Sequence, residues 1–206
     1  MNFAVFASGN GSNLQAIIHA LQKGEIKANL SLVFSNNLKA FALERANRSG
    51  IQTLILNPSD YMNRQSFDRE IMVHLKEEKI DFIVLAGYML LLSPFFIKKY
   101  PHKILNVHPS LLPAFKGTQA IKDAFLYGAK TTGVTIHFVD EKLDHGPIIM
   151  QEALRIKETD SLEILEQKIH SVEHRLYPKA IDLFSQGKLK VEGRKVVLVG
   201  TVETGH

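Results

Sequence analysis

Asn106 and His108, one residue apart, and Asp144 further along carry groups suited to acyl transfer. An amide N–H and an imidazole N–H can stabilise the oxyanion that develops when a nucleophile adds to a carbonyl. A carboxylate nearby can orient the imidazole and help move the proton that the nucleophile loses. On a strand, residues two apart point to one face, so Asn106 and His108 would act together at the strand's C-terminal end. The loop that follows, His108-Pro109-Ser110-Leu111-Leu112-Pro113, is stiffened by its two prolines. Asp144 stands in the polar stretch Asp140-Glu141-Lys142-Leu143-Asp144-His145-Gly146-Pro147. Taken singly, Asn106 or His108 reads better as a capped turn or a buried histidine; spacing, strand end and acidic loop together favour the chemical reading.

A second constellation, Gly9-Asn10-Gly11-Ser12-Asn13, sits between a first strand and a first helix. Free backbone N–H groups and the helix dipole make such a turn an anion site, and glycine lets the backbone approach a phosphate closely. A dinucleotide fingerprint would want a third glycine at position 14 and an acid about 20 residues on. Leu14 occupies the first place, and the second strand runs into Ser35-Asn36-Asn37, so a mononucleotide or sugar phosphate is favoured over NAD. The plainer alternative is a turn in which Ser12 is the helix N-cap.

Positioning these groups requires a sheet whose strand ends line up. Short apolar or β-branched runs alternate with longer amphipathic ones, the pattern of a mostly parallel sheet with helices on both faces. Strands are expected at residues 2–7, 30–34, 53–56, 82–86 and 104–108, and helices at 12–23, 40–49, 65–78 and from Ser93-Pro94 to Tyr100. Beyond position 110 comes a Pro/Gly loop, a helix through Phe125, and two antiparallel strands at 134–139 and 148–156. A long helix within 161–186, with a bend expected near Pro178, precedes a hairpin at 189–199 turning at Glu192-Gly193. The expected class is a Rossmann-like α/β fold in one domain, 1–206, with a mononucleotide-binding half (1–108) and a catalytic half with the C-terminal tail (109–206).

Composition narrows the classes further. The 206 residues are 45% hydrophobic, enough for one sizeable core. No apolar run is long enough to cross a bilayer, and no secretory pattern opens the chain, so a cytoplasmic location is expected. Cysteine is absent, which excludes disulfides and thiolate chemistry. A net charge of +4 without a long basic block suits anionic small molecules rather than nucleic acid.

The phosphate turn, Asn106-Val107-His108-Pro109-Ser110-Leu111-Leu112-Pro113 and Leu143-Asp144-His145-Gly146-Pro147 resemble the phosphoribosylglycinamide formyltransferases of the folate-dependent formyltransferase family. The likeness runs in order from about residue 2 to 186 and includes Phe34-Ser35-Asn36, Leu85-Ala86-Gly87-Tyr88-Met89 and Glu173-His174. It implies 10-formyltetrahydrofolate as donor, phosphoribosylglycinamide as acceptor, purine synthesis as the setting, and no metal. It carries Asn106, His108 and Asp144 over as catalytic residues. Gly11, Ser12 and Asn13 become the acceptor-phosphate site, with Glu173 at the acceptor's sugar-glycinamide portion. Arg64 and Met89, Leu90, Leu91 and Leu92 become folate contacts, the latter four mainly through backbone groups. Two positions depart from the pattern: Leu90 stands where the family is often basic, and His145 where it is often small.

Other readings differ in class. His170-Ser171-Val172-Glu173-His174 fits the inverted zinc-peptidase spacing, without a third-ligand motif. A binding module without turnover would use the same phosphate turn, and a formyltetrahydrofolate deformylase would pass the formyl group to water. The intact Asn106, His108 and Asp144 set argues for turnover. Monomer and homodimer are equally open.

Overall fold

The computed structural model describes residues 1–200; the remainder of the expected 1–206 domain lies outside the described residues. In chain order the elements are β1 (Asn2–Phe6), α1 (Ser12–Gln22), β2 (Asn29–Ser35), α2 (Phe41–Arg48), β3 (Gln52–Ile55), a 3-10 turn (Pro58–Asp60) and α3 (Arg64–Glu77). There follow β4 (Phe82–Leu85), α4 (Pro94–Lys99), β5 (Ile104–His108), α5 (Ala120–Tyr127), β6 (Thr131–Phe138), β7 (Ile148–Arg155), α6 (Leu162–Ser185), β8 (Leu189–Glu192) and β9 (Lys195–Leu198).

Among the described residues the strands form one sheet in the order β3-β2-β1-β4-β5-β6-β7-β9-β8. The pairings from β3 through β5 are parallel, and β6 and β7 then add antiparallel. Because β1 and β4 are buried on both faces, they read as continuous apolar runs rather than alternating ones. One face packs on α1, α2 and α6 through Leu14, Ile17, Leu43, Ile169 and Ile181. The other packs on α3 and α4, where Phe67, Ile71 and Phe96 meet Phe6 and Phe34. Burial of each such side chain contributes roughly 1.5–3 kcal/mol. Chain progression reverses between neighbours β1 and β4, so the helices diverge there and leave a crevice at the C-terminal strand ends.

Two details differ from the sequence reading. β6 starts at Thr131, three residues before the expected 134, because Gly133 lies within the strand instead of ending it. A Cβ at Gly133 would stand 2.2 Å from the Glu152 carbonyl oxygen, so close approach of β7 is what requires glycine there. The C-terminal hairpin turns at Gly193-Arg194, and β9 lies parallel to β7, which makes the hairpin an extension of the main sheet. As expected, one long helix, α6, contains buried Pro178. The hydroxyl of its neighbour Tyr177 donates to the carbonyls of Leu85 and Leu105, each at 2.9 Å, pinning α6 beneath the ends of β4 and β5.

Candidate active site

Strand pairing assembles four polar side chains on one face at the end of β5. Asn106 lies opposite His137, and His108 opposite Thr135. Cross-strand partners share a face, so all four point away from the core face that Leu105, Val107, Val134 and Ile136 fill. His137 Nδ1 lies 2.8 Å from the Phe138 carbonyl, which can only accept, so Nδ1 carries the proton. Burial pushes the His137 imidazole below its ordinary value, outweighing that hydrogen bond and the nearby Asp144 charge, so the ring is neutral. Its Nε2 lone pair then accepts from Asn106 Nδ2 at 3.1 Å. This orients the Asn106 amide and leaves its second N–H for another acceptor.

His108 is buried, and both its nitrogens have neighbours. Nδ1 lies 3.5 Å from Asp144 Oδ2, and Nε2 donates to the Phe115 carbonyl at 2.8 Å. Asp144 is likewise buried in its side chain, and its Oδ2 also accepts from Gly117 N at 2.8 Å. The loop between β5 and α5 is held from below by Thr135, whose Oγ donates to Ser110 O at 2.7 Å and accepts from Leu112 N at 3.0 Å. Gln151 Nε2 ties Leu112 O and Thr135 Oγ together at 3.0 and 2.9 Å. The Leu112–Pro113 peptide is cis. The three residues singled out from sequence therefore converge, although the Phe115 carbonyl holds the His108 proton that was expected to face an oxyanion.

At the end of β1, α1 begins at Ser12, and Gly11 is its N-cap with φ 75° and ψ 31°. Ser12 is thus not the cap, and no side chain caps the helix, which leaves first-turn N–H groups for an anion. Arg45 reinforces the turn: its guanidinium donates to Asn10 O, Asn10 Oδ1 and Gln15 Oε1 at 2.9–3.1 Å. Behind the turn, buried Glu173 accepts from Asn13 Nδ2 at 3.0 Å and from His170 Nδ1 at 2.9 Å. Both bonds fall on Oε2, so Oε1 can accept from a bound hydroxyl or amine. The Glu173 hydrogen bond raises His170 above its ordinary value against the opposing effect of burial. Parallel strands lie about 4.8 Å apart, so the end of β1 and the end of β5, with β4 between, are about 10 Å apart. A phosphosugar arm spans such a gap.

Comparison with known proteins agrees with this geometry. The formyl transferase family model matches residues 1–181. The chain belongs to the formyl transferase family. It is 44% identical over 179 residues to the phosphoribosylglycinamide formyltransferase of Bacillus subtilis, covering 87% of this chain and 92% of that one. The phosphoribosylglycinamide formyltransferase of Escherichia coli is 40% identical over 200 residues, 97% of this chain and 94% of that one. The crystal structure of glycinamide ribonucleotide transformylase 1 from Symbiobacterium toebii superposes with a TM-score of 0.93 at 42% identity, covering 96% and 93% of the two chains.

In this formyl transferase the residues expected to contact folate differ in their internal partners. Arg64 opens α3, its Nε 3.1 Å from Asp68 Oδ1 and its Nη2 donating to Leu91 O at 2.5 Å. Fully buried Asp68 accepts in turn from Ser93 N at 3.3 Å, so the pair grips both ends of the 91–93 backbone. Arg64 is therefore neither an isolated surface charge nor free of internal partners. Met89 N donates to Ser8 Oγ at 2.9 Å, which fixes the start of the segment to the end of β1. Met89 and Leu91 side chains are exposed, Leu90 is half-buried against the α3/α4 core, and Leu92 belongs to that core. Beside them the Tyr88 hydroxyl is pushed up to about 12 by burial, with the Arg64 charge opposing.

His137, Thr135, Gln151 and Ser8 were missed in the sequence. Thr135 and His137 had a signal, two polar residues alternating within the apolar run of β6, but their partners depend on sheet register. The zinc-like spacing resolves differently, since His170 is bonded to Glu173, and among the described residues no three His, Asp or Glu side chains form a metal-binding group. An open groove of about 400 Å³ lies between α1 and α6, with Ser12, His19, Lys23 and His174 in its wall. It contains none of Asn106, His108 or Asp144. No helix among the described residues is long and apolar enough to cross a membrane.

Proposed function

We propose that the chain transfers the formyl group of 10-formyltetrahydrofolate to the primary amine of phosphoribosylglycinamide, giving the N-formyl product and tetrahydrofolate in purine synthesis. The observation that carries this reading is the convergence of Asn106, His108 and Asp144 two strands from an uncapped helix N-terminus. The first-turn amides of α1 hold the acceptor phosphate, and Glu173 Oε1 meets its sugar-glycinamide portion. The 89–92 backbone, braced by Arg64 and Asp68, receives the folate ring system. The acceptor site thus draws on both halves, through α1 and Glu173, and the C-terminal half closes the cleft with Asp144.

The neutral amine forms a bond to the formyl carbon, whose oxygen becomes the oxyanion. The second Asn106 N–H and the His108 Nε2–H donate to that oxygen, which takes the place of the Phe115 carbonyl. Asp144, beside Nδ1 of His108, accepts, through water, the proton the amine loses. The same proton passes to the folate nitrogen as its bond to the formyl carbon breaks. The His137 contact keeps the Asn106 amide in the donating orientation throughout. The role of the chain's own residues is positioning and proton movement, and none of these steps calls for a metal.

The test measures formyl transfer from 10-formyltetrahydrofolate with and without phosphoribosylglycinamide. N-formyl product formed only with the acceptor is expected. Equal release of formate without it would replace this reading with a deformylase, and binding without turnover would replace it with a sensor.

A further inference from the structure

Asp144 is placed by an unusual backbone. Its φ is +46°, in the left-handed region that non-glycine residues enter only under strain. The loop around it is also tight: Phe138 N donates to Pro147 O at 2.9 Å, and a Cβ on Gly146 would fall 1.8 Å from Phe138 O. Such a conformation persists only where its surroundings over-determine it.

Those surroundings are specific. His145 Nδ1 donates to Asp140 Oδ2 at 2.7 Å, and Asp140 Oδ1 accepts from Lys142 N at 3.0 Å, so the carboxylate closes the loop from within. From outside, Arg194 Nη2 donates to His145 O at 2.6 Å, and its Nη1 lies within 3.4 Å of both ring nitrogens. Arg194 reaches this place because Ile148 pairs with Lys195, which sets the residues before β7 beside the turn before β9. Partial burial alone would raise the Asp140 carboxyl. The hydrogen bonds from His145 and the Lys142 amide, with the charges of His145 and Arg194, outweigh it and hold the group below its ordinary value. Besides the Gly117 amide at 2.8 Å on Asp144 itself, two longer ties reach the loop, Lys116 Nζ to Leu143 O and Lys98 to Glu141, each at 3.5 Å.

We propose that His145, gripped by Asp140 and Arg194, is a positioning residue that holds the Asp144 carboxylate against His108, so that the C-terminal hairpin acts on the reaction through Arg194. This rests on the acyl-transfer reading of Asp144 for its effect on rate, but not for its effect on Asp144's position. Asp140 and His145 side chains are about a third exposed, at 34% and 36%, so as an ion pair they contribute little stability. Their effect is instead on geometry. Fixing residue 145 at its ring and its carbonyl fixes the peptide that leaves Asp144.

The test uses the full chain with Arg194→Gln, His145→Ala and the conservative His145→Asn, whose amide can still donate to Asp140. Asp144 position is read without substrates from hydrogen exchange at the Gly117 amide, which Asp144 Oδ2 accepts. Single-turnover transfer at saturating substrates is measured in the wild-type and Asp144→Asn backgrounds. Arg194→Gln and His145→Ala should each speed Gly117 exchange about tenfold while β1 amides stay protected. Transfer should slow about tenfold or more, with little change in substrate affinity. His145→Asn should recover most of both effects. In the Asp144→Asn background, loss of the clamp should cost nothing further. Unchanged Gly117 exchange in folded Arg194→Gln overturns the proposal, as do equal rate losses in the two backgrounds. If the wild type transfers no formyl group, the functional reading fails, and Gly117 exchange decides the clamp alone.

Discussion

Adding one carbon at Gly11 should damage the chain through α2 as much as through a ligand. Gly11 has φ +75°, so Gly11→Ala incurs the left-handed cost of about 1–2 kcal/mol. The new Cβ would also lie 2.7 Å from Ala42 Cβ and 2.8 Å from Ala42 Cα. Those atoms belong to a helix that cannot rotate aside, and overpacking of this kind costs about 1–3 kcal/mol. The expected destabilisation is therefore about 2–5 kcal/mol. Gly24, just past the end of α1, provides the control: its φ is +71°, but nothing lies within 4 Å of a Cβ built there. Gly24→Ala should cost only about 1–2 kcal/mol. At about 2–4 °C per kcal/mol for a chain of this size, Gly11→Ala should melt several degrees below Gly24→Ala. Urea denaturation of both variants gives the free energies directly. Since Ala42 N donates to Gly9 O at 3.1 Å, displacing α2 also shifts the phosphate turn, and acceptor affinity should fall with folate affinity nearly intact. Equal destabilisation of the two variants would refute the packing argument, and equal loss of both ligands would refute the assignment of the turn to the acceptor.

Asp144→Asn keeps size and removes charge, so single-turnover transfer should fall on the order of 10² to 10⁴ with binding little changed. His108→Ala should be similarly severe and the double variant far milder than the product of the two; a near-normal rate in Asp144→Asn ends this mechanism. Arg64→Ala leaves Asp68 buried without its cation, and should cost about 1.5–3 kcal/mol in urea as well as weakening folate binding. Adding Asp68→Asn should return part of that stability, and an unchanged midpoint in Arg64→Ala would mean that the pair braces nothing. Stability against pH should bend in opposite senses at two histidines. Glu173 holds His170 above 6.5, so its contribution is full below 6.5 and lost as pH rises through the folded value. Burial holds His137 below 6.5, so the contribution of its neutral form is full above 6.5 and lost as pH falls through the folded value. Melting His170→Gln across this range should show the alkaline slope reduced and the acid slope kept; an unaltered alkaline slope would count against the His170–Glu173 pair.

What the sequence determined by itself was local. The alternation of short apolar runs with amphipathic ones identifies β1 through β5 and the helices between them, because strand and helix periods are written into neighbouring residues. The glycine turn before α1 and the Asn106, His108 pair at the end of β5 are legible for the same reason: each lies within a few residues at an element's end. Tertiary structure decided everything that depends on which elements lie side by side. Hydrophobic pattern identifies β6 as a strand but not its register, so His137 became the partner of Asn106 only through pairing across 31 positions. Glu173 reaches Asn13 across 160 positions, and Arg194 reaches His145 across 49. Arg64 and Gly11 show the same limit from the other side. The resemblance made one a charge for a ligand, and the glycine turn made the other a space for a phosphate. In the folded chain Arg64, paired with Asp68 one turn on, donates to Leu91, and Gly11 is pressed against Ala42, contacts with distant residues that are set by how α3 and α2 pack on the sheet.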